Sequence, residues 1–410
     1  MNSKLTINVE KYRKKILIAG GGYADIPLVR AAKKLGFYVI TSGNRPEDFA
    51  HKESDEYCPA DYSNPDAILY LAEQKRVDAI CPCANDFSAI SCSYAAEKLN
   101  LPGHDSYQTS LLLHHKDLYR KFALSHDIPA PRAISLSSLQ ENREAINKLR
   151  YPLLVKPVDL TGGKGITKIE KASDSDCALK NAFSISKAKR VVVEEFICGT
   201  RHGFSSFIRN GKVVFHFTDN EHYYLNQYMV SGASTPSSVS DDCINELIVQ
   251  SEKIAKILNL IDGILHIQFI SEKNKPTIIE ICRRPPGDLY IDLVKHATNL
   301  DYPSWIIRAF AGLDCSKIKQ EEVSGFFLRH CIMASKDGVL QEIKINKEIQ
   351  KNIIANAIWG KKGDIINNYL TKKFGIVFFR FGKKSEMNIK TKKMQNIIYS
   401  EISENLTTTV

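Results

Sequence analysis

No Cys-x-x-Cys pair occurs among the ten cysteines, and the closest two are Cys81 and Cys83. This spacing argues against a disulfide framework and against a zinc site. Several of the cysteines lie inside apolar stretches (Cys58, Cys81, Cys92, Cys331), where a free thiol acts as a small hydrophobe. No run reaches the roughly 18 apolar residues that a membrane helix requires. The short run Ile16–Ala19, preceded by Lys11, Arg13, Lys14 and Lys15, stops at three glycines, too soon for the apolar region of a secretory signal. Internal repeats and low-complexity segments are lacking too. A cytoplasmic enzyme with reduced thiols, without a membrane partner, is the expectation.

What is present is an ordinary globular mixture. Of 410 residues, 43% are hydrophobic and 25% charged, which excludes a disordered or collagen-like chain. At about 100–200 residues per domain, two to four domains are expected. Lys+Arg is 56 against Asp+Glu 46, a formal net charge of +10. That modest excess suits a polyanionic small molecule, and part of it is a late lysine-rich, solvated face (Lys361, Lys362, Lys383, Lys384, Lys392, Lys393). No nucleic-acid partner is expected.

The first hundred residues alternate strand and helix patterns. Lys15–Ala19, Phe37–Ile40 and Ala79–Cys81 read as strands; Asp25–Leu35, Asp66–Gln74 and Phe87–Leu99 read as helices. That order predicts a doubly wound parallel sheet. A helix over Lys116–Ser125 ends before Ile128-Pro129-Ala130-Pro131. The chain then turns β-rich. Strands are predicted at Leu153–Pro157, Val191–Ile197, Gly263–Ile270 and Thr277–Ile281, and a hairpin at Phe204–Ile208 and Val213–Phe217 around Asn210-Gly211. A helix is predicted over Asp242–Leu258, and strands over Gly325–Ala334 and Gly375–Phe381.

Four constellations could carry chemistry. Gly20-Gly21-Gly22 follows the first strand, but Asp25 stands where a dinucleotide fingerprint wants its third glycine, and Thr41–Arg45 offers no acid after the second strand. A tight turn lining a ligand crevice fits better than NAD binding. In the second, Lys156 lies in an apolar strand ahead of the loop Thr161–Gly165. A lysine is a good point charge for phosphate, and glycines let backbone N–H groups approach phosphate oxygens; alone, the loop is also what any flexible hairpin tip looks like. The third is Glu194-Glu195-Phe196-Ile197 at a strand end, suited to an adenine edge. The fourth is Gln268 and Glu280, twelve residues apart about a turn at Asn274-Lys275-Pro276, with Arg283-Arg284 following. An antiparallel pair of that length sets Gln268 beside Glu280, an oxygen donor set for a hard cation such as Mg²⁺. A carboxylate inside an apolar strand needs a partner.

Taken in order, these pieces resemble the ATP-grasp superfamily of carboxylate ligases, over nearly the whole chain. The resemblance implies a mixed α/β and α+β architecture. A pre-ATP-grasp domain would span 1–115, the ATP-grasp domain 116–313 and a small β-containing C-terminal module 314–410. It implies ATP-phosphate contacts for Lys116 and Lys156, a mobile loop over the phosphates at Gly162, Gly163 and Gly165, and adenine contacts, mainly through backbone, for Glu194, Glu195, Phe196 and Ile197. Arg201-His202 is similar to the Arg-His pair of biotin carboxylases, which puts His202 near the nucleotide. Gln268 and Glu280 match the magnesium ligands (Mn²⁺ being the alternative ion), and Arg284 the catalytic arginine, with Lys156 assisting. Cys282 departs from the family pattern, which has asparagine there; a thiol is a poor Mg²⁺ ligand.

The implied activity is an ATP-dependent ligase. A small-molecule carboxylate is activated as an acylphosphate and joined to an amine, as in L-amino acid ligases, with release of ADP and phosphate. No biotin-carrier sequence is visible, which ranks amide formation above carboxylation; an ATP-dependent carboxylase or a purine-pathway enzyme of the same superfamily is the alternative. The substrate pocket is expected to draw on Tyr223–Ser237 and Arg284–Asp288, Tyr224 included. A homodimer is the expected assembly. Two readings from other classes stand beside it: an ATP-binding regulatory protein with a weakened metal site, which Gln268 and Cys282 would favour, and an oxidoreductase built on the triple glycine.

Overall fold

The computed structural model describes residues 13–140, 143–160 and 163–404. Its fold is mixed α/β, with one parallel sheet at the N-terminal end and antiparallel sheets after it.

The parallel sheet has the order Glu56–Pro59, Tyr38–Gly43, Lys15–Ala19, Ala79–Pro82. Ile16, Leu17 and Ile18 are fully buried, as a strand covered by helices on both faces must be. The helices Ile26–Lys34 and Pro65–Lys75 supply crossovers, and Asp86–Leu99 follows the last of the four strands. The glycine run is explained by packing. A Cβ on Gly20 would lie 2.2 Å from Cys83 Cβ, and one on Gly21 would lie 1.9 Å from the His51 ring. Asp25 accepts from Gly22 N (2.9 Å) and from Ala84 N (3.2 Å), tying the turn after the first strand to the turn after the fourth. The triple glycine closes a crossover and does not line the principal cavity.

A four-stranded antiparallel sheet follows, ordered Ala133–Leu136, Val191–Glu195, Leu153–Pro157, Thr167–Ile169. The largest sheet has eight antiparallel strands. Its order is Lys275–Cys282, Gly263–Glu272, Thr200–Arg209, Lys212–His222, Gly232–Thr235, Phe326–Met333, Lys373–Phe381, Ile353–Ile358. This sheet runs straight across residue 313. The strand Phe326–Met333 pairs with Gly232–Thr235, so the C-terminal strands extend the central sheet. A small sheet of Ile365–Ile366, Gly338–Ile345 and Ile398–Ser403 packs behind them. The helices Tyr290–Thr298 and Tyr302–Phe310 cover the large sheet and share one apolar core with the helix Ile26–Lys34 of the parallel sheet.

One hairpin needs correction against the sequence reading. Its turn is Lys273-Asn274, with φ of +49° and +63°, the left-handed pair that a two-residue hairpin demands. Lys275 and Pro276 already belong to the strand Lys275–Cys282, which is an edge strand and so tolerates proline. A regular hairpin about that turn would pair Gln268 with Ile279 and send Glu280 to the opposite face. Instead the register slips between Gln268 and Phe269, and Gln268 pairs with Glu280. The extra residue is Ile279, a one-residue bulge. Its carbonyl accepts from Arg120 Nη2 at 2.7 Å.

Candidate active site

Four elements bring the predicted lysines and acids together. The helix Lys116–Ser125 begins at Lys116 after an extended His115, so the Lys116 side chain leaves from a helix start towards the sheet. Its Nζ donates to Glu280 Oε1 (3.1 Å) and to Leu160 O (3.0 Å). Burial works against the Lys116 ammonium, but Glu280 and Asp86 outweigh it and hold its pKa above the ordinary range. Lys156, from the strand Leu153–Pro157, forms an ion pair with Glu194, which also accepts from Arg120 Nε at 3.0 Å. Burial alone would raise the Glu194 carboxyl; Arg120 and Lys156 hold it below its usual value. The Glu194 side chain is therefore a clamp on two cations.

Lys116, Lys156, Glu194, Glu195, Phe196, Ile197, Gln268, Glu280, Arg284 and Gly163 all line one cavity of about 330 Å³. At the strand end, Glu195 N donates to Arg132 O and Phe196 N to Pro152 O, both at 2.9 Å. Those two N–H groups are spent, and the Phe196 ring carries Lys168 Nζ at 4.5 Å. Gly163 sits at φ +74°, where a Cβ would lie 2.4 Å from Tyr228 Cβ. Gly165, at φ +72°, packs on Ile185 and Pro157 and does not line the cavity. Gly162 lies outside the described residues.

His202 does not line the cavity either. It is buried, faces Thr200 Oγ1 (2.6 Å) and Asp219 O (3.2 Å), stacks on Phe269, and burial depresses its pKa to about 4. Along the strand Thr200–Arg209 side chains alternate faces, so it is Arg201 that reaches the cavity wall, bonded to Gln227 O. Tyr224 also misses. It packs on His330, donates to Thr391 O at 3.3 Å, and lines a separate small cavity. Tyr223, Tyr228, Met229, Val230, Pro286, Gly287 and Asp288 do border the main one.

Arg284 is held from the parallel-sheet region. Its Nε donates to Asp86 Oδ1 at 2.8 Å, and His114 Nδ1 donates to the same oxygen at 2.9 Å. Asp86 is the first residue of the helix Asp86–Leu99, where the helix dipole favours an anion. Burial would raise Asp86, but Arg284 and His114 hold it far below the carboxylate range. The chain crevice after the fourth parallel strand is a topological switch point, the usual seat of a ligand in such sheets.

Sequence reasoning missed the cavity's other acids and cations: Asp86, Asp219, Glu221, Arg329 and Lys373. A signal existed for two. In the strand Lys212–His222, Phe215, Phe217, Asp219 and Glu221 share one face by alternation, so the acids continue a buried row. Asp219 replaces a side chain on its neighbour: a Cβ on Gly203 would lie 2.5 Å from Asp219 Oδ1. Tyr290 OH donates to Asp219 Oδ1 at 2.6 Å, and burial pushes Asp219 up to about 7. Glu221 accepts from Gln268 Nε2 (2.6 Å) and from Tyr223 OH.

Those contacts bear on a cation. Glu221 and Glu280 flank the Gln268 amide on one wall of the cavity, a donor set made of hard oxygens. Such oxygens suit Mg²⁺. Cys282 is 3% exposed, and burial raises its thiol to about 12. Glu221 is a second carboxylate beside Gln268 on that wall.

A family model described as an ATP-grasp domain matches residues 116–288. This segment is an ATP-grasp domain. The match begins at the cavity lysine Lys116 and ends at the cavity acid Asp288. Among curated proteins, the large chain of carbamoyl phosphate synthase from Clostridium botulinum is 24% identical over 295 residues, 67% of this chain and 27% of that one. The chain spans about a quarter of the length of that relative. Among solved structures, the L-amino acid ligase from Bacillus licheniformis superposes with a TM-score of 0.80 at 16% identity, covering 96% of this chain and 100% of that one. The biotin carboxylase domain of Hydrogenobacter thermophilus 2-oxoglutarate carboxylase, solved with MgADP and bicarbonate, gives 0.77 at 19% identity, covering 95% and 90%. At such identities the likeness is one of fold, and it extends on both sides of the ATP-grasp domain. Among the described residues, no helix is long and apolar enough to cross a membrane.

Proposed function

We propose that this protein is an ATP-dependent ligase that activates a small-molecule carboxylate as its acylphosphate and joins it to an amine. The observation that carries the reading is the convergence of Lys116, Lys156, Glu280, Gln268 and Arg284 on one cavity, from four separate parts of the fold. Lys116 and Lys156 would hold the phosphates, releasing Glu280 and Glu194 from their present ion pairs. Phe196 and Ile197 would face the adenine. Glu280, Gln268 and Glu221 would hold Mg²⁺, or Mn²⁺, which when bound neutralises charge on the transferring phosphoryl group. Arg284, fixed by Asp86, would orient the substrate carboxylate and offset the charge that develops in transfer. The walls at Gly163 and Tyr228 would exclude water from the mixed anhydride.

A catalytic role agrees better with Glu221 than a purely regulatory one does, because it restores a second carboxylate beside Gln268. We place a leading unit to about residue 115, the ATP-grasp unit to about 313, and a closing unit whose strands complete the large sheet. The test is phosphate release from MgATP against pairs of small acids and amines, with mass spectrometry of the products. Release that needs both partners and yields a dehydrated adduct is expected. Tight ATP binding with no turnover across the panel would overturn the ligase in favour of a nucleotide-binding regulator.

A further inference from the structure

A joint of one residue separates two helices beside the cavity. The helix Tyr107–His114 ends at His114, His115 is extended (φ −98°, ψ 120°), and the next helix begins at Lys116. Lys116 reaches Glu280. His114, two residues earlier, reaches Asp86 and the main chain at Arg283. The same short segment therefore serves both ends of the strand end that carries Glu280 and Arg284. His114 has no part in holding a ligand. Its side chain is 0% exposed, and it does not line the cavity. A fully buried imidazole with both nitrogens engaged acts through the groups it holds.

The two ring nitrogens do different work. Arg283 N donates to His114 Nε2 at 3.4 Å, so Nε2 keeps its lone pair and the ring proton sits on Nδ1. Nδ1 donates to Asp86 Oδ1 at 2.9 Å, the oxygen that also accepts from Arg284 Nε at 2.8 Å. Arg284 Nη1 donates to Pro285 O at 3.2 Å. The guanidinium plane is thus set by Asp86 and by the chain just after it, while the ring holds the chain just before it. Arg283 is itself anchored, with Nε on Asp105 Oδ2 (2.7 Å) and Nη2 on Ile261 O (2.8 Å). One imidazole therefore fixes both the counter-ion and the backbone of Arg284. Without the second donor on Oδ1, the Asp86 carboxylate is free to turn and to carry Arg284 with it. Donors aimed at developing charge stabilise it only when they are fixed beforehand, and a misplacement of about 1 Å can cost on the order of a hundredfold in rate.

We propose that His114 is a positioning residue: in its Nδ1–H form it orients Asp86, and Asp86 aims Arg284 into the cavity. The proposal rests on the ligase reading, in which Arg284 meets the reacting carboxylate and phosphoryl group, and it adds a residue that touches neither. The three members come from three separate segments. His114 ends the helix before the joint, Asp86 opens the helix Asp86–Leu99, and Arg284 follows the edge strand Lys275–Cys282. Lys116 and Lys156 are held by other groups, Glu280 and Glu194. Disturbing His114 therefore acts on the transfer step that Arg284 serves and spares the lysines that hold ATP.

Two substitutions in the full-length protein separate the ring nitrogens. The amide nitrogen of asparagine stands where Nδ1 does, so His114→Asn keeps the donor to Asp86. The amide oxygen of glutamine reaches the place of Nε2, so His114→Gln keeps the acceptor for Arg283 N and loses that donor. With MgATP and the acid–amine pair that releases phosphate fastest, His114→Gln is expected to lower kcat at least about tenfold with KM for ATP within twofold. His114→Asn is expected to recover kcat to within about threefold of the unsubstituted protein. Equal losses in the two variants, or a loss seen in KM for ATP and not in kcat, would overturn the proposal. A second readout needs no turnover. In protein carrying ¹⁵N-histidine and ¹⁵N-arginine, His114 is expected to give the signals of an Nδ1-protonated ring. The Arg284 Nε–H signal, identified by its loss in Arg284→Lys, is expected to be protected from exchange with water in the unsubstituted protein and to lose at least about tenfold of that protection in His114→Gln. If no pair releases phosphate, the ligase reading fails on its own, and the spectra decide the positioning role: an Arg284 signal indifferent to His114→Gln overturns it. Should that variant not fold, the ring decides, and an Nε2-protonated His114 overturns it.

Discussion

At the scale of residues, the site is a set of charges that satisfy one another. Glu194, Arg120 and Lys156 are the clearest case. Their side chains are 2%, 3% and 9% exposed, and the two cations depend on one carboxylate. Removing a single partner from a buried ion pair typically costs about 3–5 kcal/mol, because it strands the charge left behind. Glu194→Gln is expected to destabilise the protein by about that much, measured as a lower urea midpoint at unchanged slope. Glu194→Asp, which keeps the charge, is expected to recover part of the loss. The sequence had marked Glu194 as a backbone contact for adenine; its carboxylate proves to be the counter-ion of Lys156. Local spacing does not tell which way a side chain in an apolar strand will find its partner.

At the scale of elements, a bulge and a sheet order decide where the chemistry lies. The twelve-residue interval between Gln268 and Glu280 suggests their pairing, but the turn at Lys273-Asn274 alone would place Glu280 on the other face. The bulge at Ile279 returns it, and Arg120 accounts for the carbonyl this frees. A one-residue slip inverts every side chain of a strand, so this detail governs whether Glu280 meets Lys116 at all. The C-terminal strands matter in the same way. Phe326–Met333 covers the edge of Gly232–Thr235, and an uncovered edge strand is a template for aggregation. A chain truncated after Leu313 would expose that edge and lose Arg329 and Lys373. It is expected to lack a cooperative thermal transition and to aggregate, measured by calorimetry and light scattering against the intact protein. A soluble, cooperatively folding fragment would contradict this.

At the scale of the whole molecule, buried titratable groups set the response to acid. Burial depresses His104, His202 and His222 to about 4, and His266 and His330 to about 3. Each binds its proton at a higher pH in the unfolded chain than in the folded one. Between about pH 6.5 and 4 the unfolded state therefore holds more protons on these five groups, and stability falls as pH falls. Burial acts oppositely on Asp25 and Asp219, raised to about 7, and on Asp292, raised to about 6. Those three favour the folded state at low pH and lose that contribution as pH rises through their folded values. Five groups against three leaves a net loss, at up to about 1.4 kcal/mol per pH unit for each uncompensated proton. The urea midpoint is expected to drop from pH 6.5 to pH 4, and a midpoint that stays level or rises would refute this balance.

Much of the fold could be read from the chain alone. Apolar periodicity and turn residues placed the parallel sheet, the helix Lys116–Ser125, the strand Leu153–Pro157 and the hairpin about Asn210-Gly211, because those signals are local and repeat every two or three to four residues. The same ordered pieces carried the resemblance that Lys116, Lys156, Glu280 and Arg284 later supported by meeting in one cavity. Only the tertiary structure decided the rest. Asp86 reaches Arg284 across 198 residues, Lys373 reaches Asp288 across 85, and Glu221 reaches Gln268 across 47. His202 and Tyr224 lost their expected places to strand alternation and to a neighbouring element. A pattern along the chain records which face a residue presents. The charge that stands opposite it is set by sheet order, register and the packing of distant segments, and no local interval encodes those.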